Sequence, residues 1–241
     1  MSRLFNDVVN ANMSKIGWQA AKRLFDFSAA AAGLIVLSPV MVVVAAAVRA
    51  TSPGPALFIQ DRVGRHGQLF RCAKFRTMRA GAQAQGTITT ATDARVTPVG
   101  RFLRRWKLDE LPQLWNVATG RMSFVGPRPD VPGYADRLQG ADRRILELRP
   151  GITGPATLLF RDEERLLARA RDPRAFNDAV VYPEKLRLNR EYLETANFWR
   201  DLGYILATVW PSLTRRAGWD VRLGLKYEEF SARMEQEAVR Y

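Results

Sequence analysis

The amino-acid sequence predicts an α+β, mainly helical fold that is attached to a membrane. Three observations lead to this fold class. An almost wholly apolar segment runs from Leu24 to Val48, two short strand-like segments follow it around Gly64 and Gly67, and the second half of the chain carries amphipathic helical patterns.

Composition and charge limit the possible functions. The 241 residues have a hydrophobic share of 47%, which is ample for a core, and a formal net charge of +13. Such a charge indicates polyanionic partners, namely nucleic acid, anionic lipid headgroups or phosphorylated substrates. The single cysteine, Cys72, excludes an internal disulfide, and the single histidine, His66, argues against a zinc site or a histidine-based triad.

The apolar segment is long enough to span a bilayer, which takes about 20 apolar residues. Ser38 and Pro39 lie near its middle, where proline removes a backbone donor and should bend or break the helix, while the serine hydroxyl can satisfy the freed carbonyl. Lys22, Arg23 and Arg49 make both flanks positive, although positive residues favour the cytoplasmic side. A re-entrant helix would resolve this conflict, and a proline-kinked span is the alternative.

The two strand-like segments, Ala56 to Arg62 and Gln68 to Arg76, predict a β-hairpin. Strand alternation places Lys74 and Arg76 on one face. The two cations therefore either point into a shared anionic site or are solvated on an edge strand.

A pair of carboxylates, Asp109 and Glu110, follows a strongly basic stretch. Thr97 and Pro98 predict an N-cap and first residue of a helix over Val99 to Trp106, and Pro112 predicts that a second helix starts near Asp109. At a helix N-terminus Asp109 should stay ionised, within reach of a phosphate. Carboxylates beside arginines suit phosphoryl transfer with an aspartate nucleophile, while the alternative is a helix cap with first-turn charge.

An arginine between two prolines stands out later in the chain. Pro127 and Pro129 hold Arg128 on a stiff, extended backbone, an arrangement that suits bidentate phosphate recognition, although an isolated Pro-Arg-Pro segment on its own favours a rigid surface turn. The remaining predictions concern loops, turns and helices. They are a loop over Ala80 to Ala94, a helix C-cap at Gly120 and a tight turn over Arg149 to Gly154. They also include helices over Leu158 to Ala170, Pro183 to Leu193 and Phe198 to Trp210, the last a core or interfacial helix, and an amphipathic tail from Leu223.

With these pieces placed, the chain resembles the bacterial sugar transferase family, the monotopic phosphoglycosyl transferases that act on polyprenyl phosphate. Six motifs carry the resemblance in the family's order: Lys22-Arg23-Leu24-Phe25-Asp26, Ser38-Pro39, Lys74-Phe75-Arg76-Thr77-Met78, Leu108-Asp109-Glu110-Leu111-Pro112-Gln113, Met122-Ser123-Phe124-Val125-Gly126-Pro127-Arg128-Pro129 and Arg149-Pro150-Gly151-Ile152-Thr153-Gly154.

The resemblance implies a monotopic membrane protein on the cytoplasmic face of the bacterial inner membrane, with a re-entrant helix-break-helix, a small β-hairpin and interfacial amphipathic helices. The corresponding parts are an N-terminal extension (1–21), the membrane helix (22–50), a cytoplasmic catalytic domain (51–222) and a C-terminal tail (223–241).

The resemblance also implies roles for the site residues. Asp109 would be the nucleophile, Glu110 would hold Mg²⁺, Arg104 and Arg128 would contact the diphosphate or its nucleotide, and Lys74 would assist.

The implied reaction moves a sugar 1-phosphate from a nucleotide diphosphate sugar, expected to be a UDP-sugar, to polyprenyl (undecaprenyl) phosphate through a covalent aspartyl intermediate. Such a reaction would begin the assembly of an exopolysaccharide, O-antigen, capsule or glycoprotein glycan. Two departures from the family pattern leave the sugar open: the segment Pro155 to Phe160, and Asn189 where an aspartate is common.

Two rival functions remain from the residues alone. A membrane-associated glycosyltransferase that releases UDP often carries an Asp-x-Asp motif, and this sequence has none. A non-enzymatic basic adaptor that binds membrane or nucleic acid is supported only by the net charge, since no zinc spacing or RNA-binding signature occurs. No nucleic-acid partner is therefore expected.

Overall fold

The computed structural model of the chain describes residues 2–79, 81–82, 93–216, 218 and 222–241. Most of the predicted loop at 80–94 lies outside these residues. The described part is mainly helical, with two short two-stranded sheets. The helices are α1 (Ser2–Thr51), α2 (Pro98–Arg105), α3 (Gln113–Ala118), α4 (Gly140–Arg143), α5 (Pro155–Leu159), α6 (Glu163–Leu167), α7 (Pro173–Phe176), α8 (Tyr182–Thr195), α9 (Phe198–Val209), α10 (Pro211–Arg216) and α11 (Tyr227–Arg240), and the strands are β1 (Leu57–Val63), β2 (Leu69–Phe75), β3 (Ser123–Val125) and β4 (Gly151–Thr153).

The apolar segment forms the second half of α1, which continues through Pro39 without interruption. Proline cannot donate to the carbonyl four residues earlier, that of Ile35, and the Ser38 hydroxyl donates to this carbonyl instead at 2.8 Å. The predicted compensation by serine is therefore present. Pro39 lies within one helix rather than between two, and the course of this helix relative to a membrane stays a prediction.

Both halves of the apolar segment pack on the same domain. Before Pro39, Ala30 is fully buried against Cys72 and Val117. After Pro39, Val44 and Val48 are buried in a cluster with residues of β2 and α2. Within the part of the chain that the structure describes, Gly17–Thr51 is the one helical stretch long and apolar enough to cross a membrane, judged by length and composition.

The charged residues at the start of the apolar segment hold α1 onto this domain. The Lys22 ammonium pairs with Asp201 of α9 at 2.5 Å, and the Arg23 guanidinium donates to the carbonyls of Val117 and Ala118 at 2.7 Å each. Asp26, which is 2% exposed, accepts the backbone N–H of Phe124 at 3.1 Å. Lys22 and Arg23, the cations that precede the apolar segment, thus bind partners within the protein, and the Asp26 contact fixes α1 relative to β3.

The predicted hairpin is confirmed to within one residue at each strand end. β1 pairs antiparallel with β2, from Leu57 opposite Phe75 to Val63 opposite Leu69, and His66 adopts a positive φ of 59° in the turn.

The second sheet was not predicted. β3 pairs in parallel with β4, so the segment Arg149 to Gly154, predicted as a tight turn, contains a strand. Gly126 and Gly151 allow this contact, because a Cβ on either would lie 2.2 Å or less from backbone atoms of the facing segment.

The later helices agree with the sequence in part. α8 and α9 match the predicted helices, whereas the single helix predicted over Leu158 to Ala170 is two short helices, α5 and α6. Residues 223–241 are packed rather than free, since Phe230 and Met234 of α11 are buried in a core cluster with Phe160 and Phe176.

Candidate active site

The carboxylate pair lies in a 3₁₀ turn, Leu108–Glu110, between α2 and α3. Lys107 precedes this turn in the left-handed conformation (φ 55°, ψ 22°), which separates the turn from α2. Leu108 and Leu111 pack against the cluster of Val44, Val48, Phe75 and Leu103, and they anchor the turn from both sides. Asp109 and Glu110 are thereby held with exposed fractions of only 6% and 9%.

Asp109 is buried without a hydrogen-bond donor on its Oδ1 atom. Burial and the neighbouring charge of Glu110 raise the pKa of Asp109, although Lys74, Lys107 and Arg104 oppose the rise. The sequence predicted a capping carboxylate kept ionised by a helix N-terminus. In the structure it caps neither the turn nor the six-residue α3, so desolvation decides the direction of its pKa shift.

Glu110 forms a forked ion pair with Arg128. One guanidinium nitrogen lies 2.5 Å from Oε1 and the other 3.3 Å from Oε2. Burial alone would raise the pKa of Glu110, but the charge and hydrogen bonds of Arg128 outweigh it, and the net effect is a lowered pKa. The Glu110 side chain is 10% exposed and that of Arg128 is 46% exposed, so the arginine lies at the mouth of the site.

Two further cations lie beside Asp109, since both act on its pKa. Lys74 projects from β2 with its ammonium 5.3 Å from the centre of the Phe58 ring. Arg104 of α2 donates to the Thr77 hydroxyl and to Glu164, at 2.9 Å each. The structure thus brings together Lys74, Arg104, Asp109, Glu110 and Arg128 from four separate parts of the chain.

Arg76 does not join this group, although strand alternation placed it with Lys74. Its guanidinium donates to the carbonyls of Pro53 and Ser52 at 2.5 and 2.6 Å, and the residue is 8% exposed. The Arg76 backbone is still paired across the hairpin, since its N–H donates to the carbonyl of Ala56 at 2.8 Å, so the difference lies in the side chain, whose guanidinium turns to carbonyls of the α1 exit. Arg76 thus fastens the exit of α1 to the hairpin, and its predicted contact with substrate has no support in this geometry.

We expect Arg76→Met to destabilise the protein without changing the affinity for substrate. The variant leaves buried carbonyls without their donor, which costs about 2 kcal/mol for a bond to a charged group. Thermal unfolding would measure the loss, with Arg79→Met at an exposed position as the control. A raised KM at unchanged stability would return Arg76 to the substrate site.

The loop that carries Arg128 is fixed through its backbone. Pro127 accepts the N–H of Gly151 at 2.8 Å, and Pro129 accepts a guanidinium N–H of Arg62 at 3.0 Å. Because proline also restricts the backbone itself, the guanidinium fork of Arg128 extends from a rigid support. Pro127 and Pro129 thus position Arg128, because their carbonyls hold the loop in place and their rings restrict its backbone.

Comparison with known proteins gives the family of this chain. Residues 17–215 match the family described as Bacterial sugar transferase. The chain belongs to this family.

Its relatives act on different sugars. The chain is 37% identical to the UDP-glucose:undecaprenyl-phosphate glucose-1-phosphate transferase of Caulobacter vibrioides, over 83% of this chain and 72% of the relative. It is 35% identical to the transferase of the same name from Escherichia coli, over 82% of this chain and 41% of the relative. It is 33% identical to the undecaprenyl-phosphate galactose phosphotransferase of Salmonella typhimurium, over 86% of this chain and 43% of the relative. This sugar transferase therefore spans less than half the length of the latter two relatives.

The sequence missed several charged residues around the Arg128 loop of this sugar transferase. Burial raises the pKa of Asp130 to about 6, with Lys185 and Arg62 acting against the rise. Glu163 pairs with Lys185 at 2.6 Å. Glu164, in the first turn of α6, forms an ion pair with Arg104. The position of Asp130 directly after the Pro-Arg-Pro segment was a usable signal, whereas Glu163 and Glu164 lay in what was predicted as an ordinary amphipathic helix.

A magnesium ion would find a suitable but incomplete set of ligands here. No group of three or more His, Cys, Asp or Glu side chains that could hold a metal occurs in the described ranges. Mg²⁺ is commonly bound by one or two carboxylates together with substrate phosphates. The carboxylates of the consecutive residues Asp109 and Glu110, with Oδ1 of Asp109 lacking a donor, are ligands of the kind that this mode of binding uses.

Proposed function

We propose that this sugar transferase moves a sugar 1-phosphate from a UDP-sugar to undecaprenyl phosphate through a covalent intermediate on Asp109. The observation that carries the proposal is the buried, donor-free Oδ1 of Asp109 beside Lys74, Arg104 and Arg128. A carboxylate oxygen in such a position is available to form a bond, and the cations around it suit the charge of a diphosphate. The names of the relatives supply the substrate classes.

In the first step, an oxygen of Asp109 attacks the sugar-bearing phosphorus of the donor. The bond from this phosphorus to the bridging oxygen breaks, UMP leaves with the electron pair, and an aspartyl phosphosugar remains. In the second step, a phosphate oxygen of undecaprenyl phosphate attacks the same phosphorus. The bond to Asp109 breaks, and the carboxylate is regenerated with a polyprenyl diphosphate sugar as product.

The surrounding residues contribute binding and charge. Arg104 and Arg128 would exchange their carboxylate partners Glu164 and Glu110 for phosphate oxygens, which are equally good acceptors for a guanidinium fork. Burial around Asp109 limits access of water to the intermediate. Glu110 would hold Mg²⁺, with Asp109 adjacent, and the ion when bound would offset charge on the phosphates.

Lys74 gives this proposal a pH dependence. Burial, together with the charges of Arg62, Arg104 and Arg128, lowers its pKa to about 8, and Asp109 only partly opposes this. The ammonium is the charged form, so the free enzyme carries this charge below pH 8 and loses it above. We expect kcat/KM to fall as the pH rises through about 8, measured from about pH 6.5 to about pH 9.5.

Lys74→Arg should remove this descending limb, because a guanidinium stays protonated across the range. Lys107→Arg is the matched control, since Lys107 also lies near Asp109 but is exposed. A limb that survives in Lys74→Arg would assign the titration to another group.

We further propose that α1 bends at Pro39 while remaining one helix, so that it enters the cytoplasmic face of the inner membrane and leaves by the same face. The proposal is supported by the packing of α1, since a charged domain that touches the helix both before and after Pro39 leaves no free length to cross a bilayer. The residues between these contacts are exposed and apolar, with Ile35 and Val36 at 75% and 72% and Val42 and Val43 at 68%. This central stretch is suited to contact with acyl chains.

Exposed aromatic side chains support the same placement. Trp199 and Trp210 lie near the two ends of α9, and Trp106 and Trp115 flank the turn that carries Asp109. Tryptophan favours the interface between headgroups and acyl chains. Asp109 would then lie at the level of the lipid phosphate that it must serve.

Pro39→Ala should shift α1 toward a straight span and move residues 1–20 to the far side of the membrane. A cysteine placed by Ser14→Cys, in a chain also carrying Cys72→Ala, would become reactive to an impermeant thiol reagent outside spheroplasts. The same cysteine with Pro39 retained is the control and should stay unlabelled. Unchanged labelling in Pro39→Ala would count against a proline-dependent re-entrant course.

The test of the function is a reaction without lipid. The purified protein is incubated with a panel of UDP-sugars, and intact-mass analysis looks for a phosphosugar adduct that peptide mapping assigns to Asp109. The adduct and released UMP would support the proposal. No adduct in this reaction, followed by release of UDP rather than UMP once undecaprenyl phosphate is added as acceptor, would instead indicate an ordinary glycosyltransferase.

A further inference from the structure

Asn189 of α8 is a buried amide whose oxygen has no donor. The residue is 7% exposed, and no described group of the protein donates to its Oδ1 atom. Leu188 and Tyr192 of the same helix are also buried. A polar atom in this position needs a hydrogen-bond partner that the neighbouring side chains do not supply.

Asn189 lines a cavity behind the Arg128 loop, with a volume of about 20 Å³. Pro127, Arg128, Pro129 and Asp130 form one side of this cavity. The two prolines have no N–H to donate, and aliphatic side chains such as Ile145 make up much of the remaining wall. The cavity therefore places an unsatisfied acceptor directly against the loop that holds the arginine.

The size of the cavity decides what can occupy it. A cavity needs about 10–15 Å³ of this kind of volume to hold one water molecule. A water molecule fits and can donate two hydrogen bonds.

We propose that Asn189 binds one water molecule that bridges its Oδ1 atom to Asp130 and so positions the Arg128 loop from behind. The proposal rests on the proposed function of Arg128 in binding the donor. The loop is already held at other points through its backbone, because the carbonyl of Asp130 accepts the backbone N–H of Val63 at 2.9 Å and the carbonyl of Pro129 accepts from Arg62. The water supplies the missing support on the side of α8, and Asn189 is a positioning residue.

The first experiment compares two substitutions at this position. Asn189→Leu keeps the branched shape and the number of heavy atoms of the side chain but removes the acceptor, and we expect KM for the UDP-sugar to rise about tenfold with kcat within about twofold. Asn189→Ser keeps an acceptor and leaves room for a second water, and we expect it to restore most of the affinity. Thermal unfolding of both variants monitors folding.

An unchanged KM in Asn189→Leu would overturn the proposal, as would an equal rise in both variants, which would indicate simple packing. Binding of UMP and of inorganic pyrophosphate should weaken in proportion in Asn189→Leu, because the loop presents Arg128 to phosphate. A loss confined to UMP would instead indicate direct contact with the base and would also overturn the proposal.

A crystal structure of the wild-type protein provides a test that does not depend on activity. Electron density for a solvent molecule within hydrogen-bond distance of both Asn189 and Asp130 is the expected result, and an ordered map without it would contradict the bridge. The adduct experiment and the crystal structure together distinguish failure of the proposed function from failure of the proposed role of Asn189. A missing adduct on Asp109 defeats the proposed function, whereas a missing water with a normal adduct defeats only the role of Asn189.

Discussion

Asp109→Asn is expected to reduce kcat/KM for sugar-phosphate transfer by at least about 10³-fold, the scale typical of a removed nucleophile. The amide has nearly the same shape as the carboxylate, so the surrounding packing is kept. Its oxygen lacks the negative charge needed to attack phosphorus, and no aspartyl phosphate can form. Folding and membrane attachment should remain, because the Oδ1 atom of Asp109 receives no hydrogen bond that the substitution could break.

The measurement is UMP release, together with the intact mass of the protein after incubation with donor alone. Asp61→Asn is a matched control, since it removes one carboxylate charge at an exposed position of β1. It should retain activity and the adduct. Substantial turnover by Asp109→Asn, or an adduct that maps to another residue, would remove Asp109 from the proposed role.

The sequence predicted the elements that depend on local patterns. The hairpin, the helix capped by Thr97 and the two helices α8 and α9 follow from alternation, capping and periodicity within short windows. Thr97 accepts the N–H of Gly100 at 2.9 Å, as an N-cap should. The grouping of Lys74 with Arg104, Asp109, Glu110 and Arg128 was predicted only through the resemblance, because no local rule brings four separate segments together.

The partners of individual charges could not be predicted from the sequence. Arg76 lies outside the site because its guanidinium donates to carbonyls of the exit of α1, which no pattern within the strand predicts. In the sequence, Lys22 was interpreted as a positive flank that indicates the cytoplasmic side of the membrane. In the structure it pairs with Asp201, which lies 179 residues later. Such contacts depend on the tertiary arrangement, as does the division of the predicted helix at Leu158 to Ala170 into α5 and α6.

The pairing of Glu110 with Arg128 bears most directly on the proposed function. The sequence predicted that Glu110 binds Mg²⁺ and that Arg128 contacts the diphosphate or its nucleotide, yet in the structure the two side chains bind each other. Neither prediction is excluded by the pairing. A carboxylate oxygen accepts more than one bond, and Arg128 is exposed enough to rotate toward a donor phosphate. The pair holds Glu110 as an anion inside a buried site, which is the charge state that a metal ligand requires.

Glu110→Gln should therefore lower kcat/KM by about 100-fold and weaken Mg²⁺ binding, since a neutral amide is a poor ligand for a hard divalent cation. The loss of stability should be small, at most about 1 kcal/mol, because the half-exposed Arg128 can be solvated when its partner is neutral. Mn²⁺ binding followed by electron paramagnetic resonance measures the metal without turnover. Glu147→Gln, at an exposed position, is the control.

A second substitution separates stability from catalysis at this pair. Arg128→Gln alone leaves Glu110 buried without its main partner and should destabilise the protein, while Arg128→Gln combined with Glu110→Gln should recover part of that stability. Activity should not recover in the double variant, because both the metal ligand and the phosphate contact are gone. If magnesium dependence were unchanged in Glu110→Gln, the ion would have to be held elsewhere, and Glu110 would serve only to hold Arg128 in place.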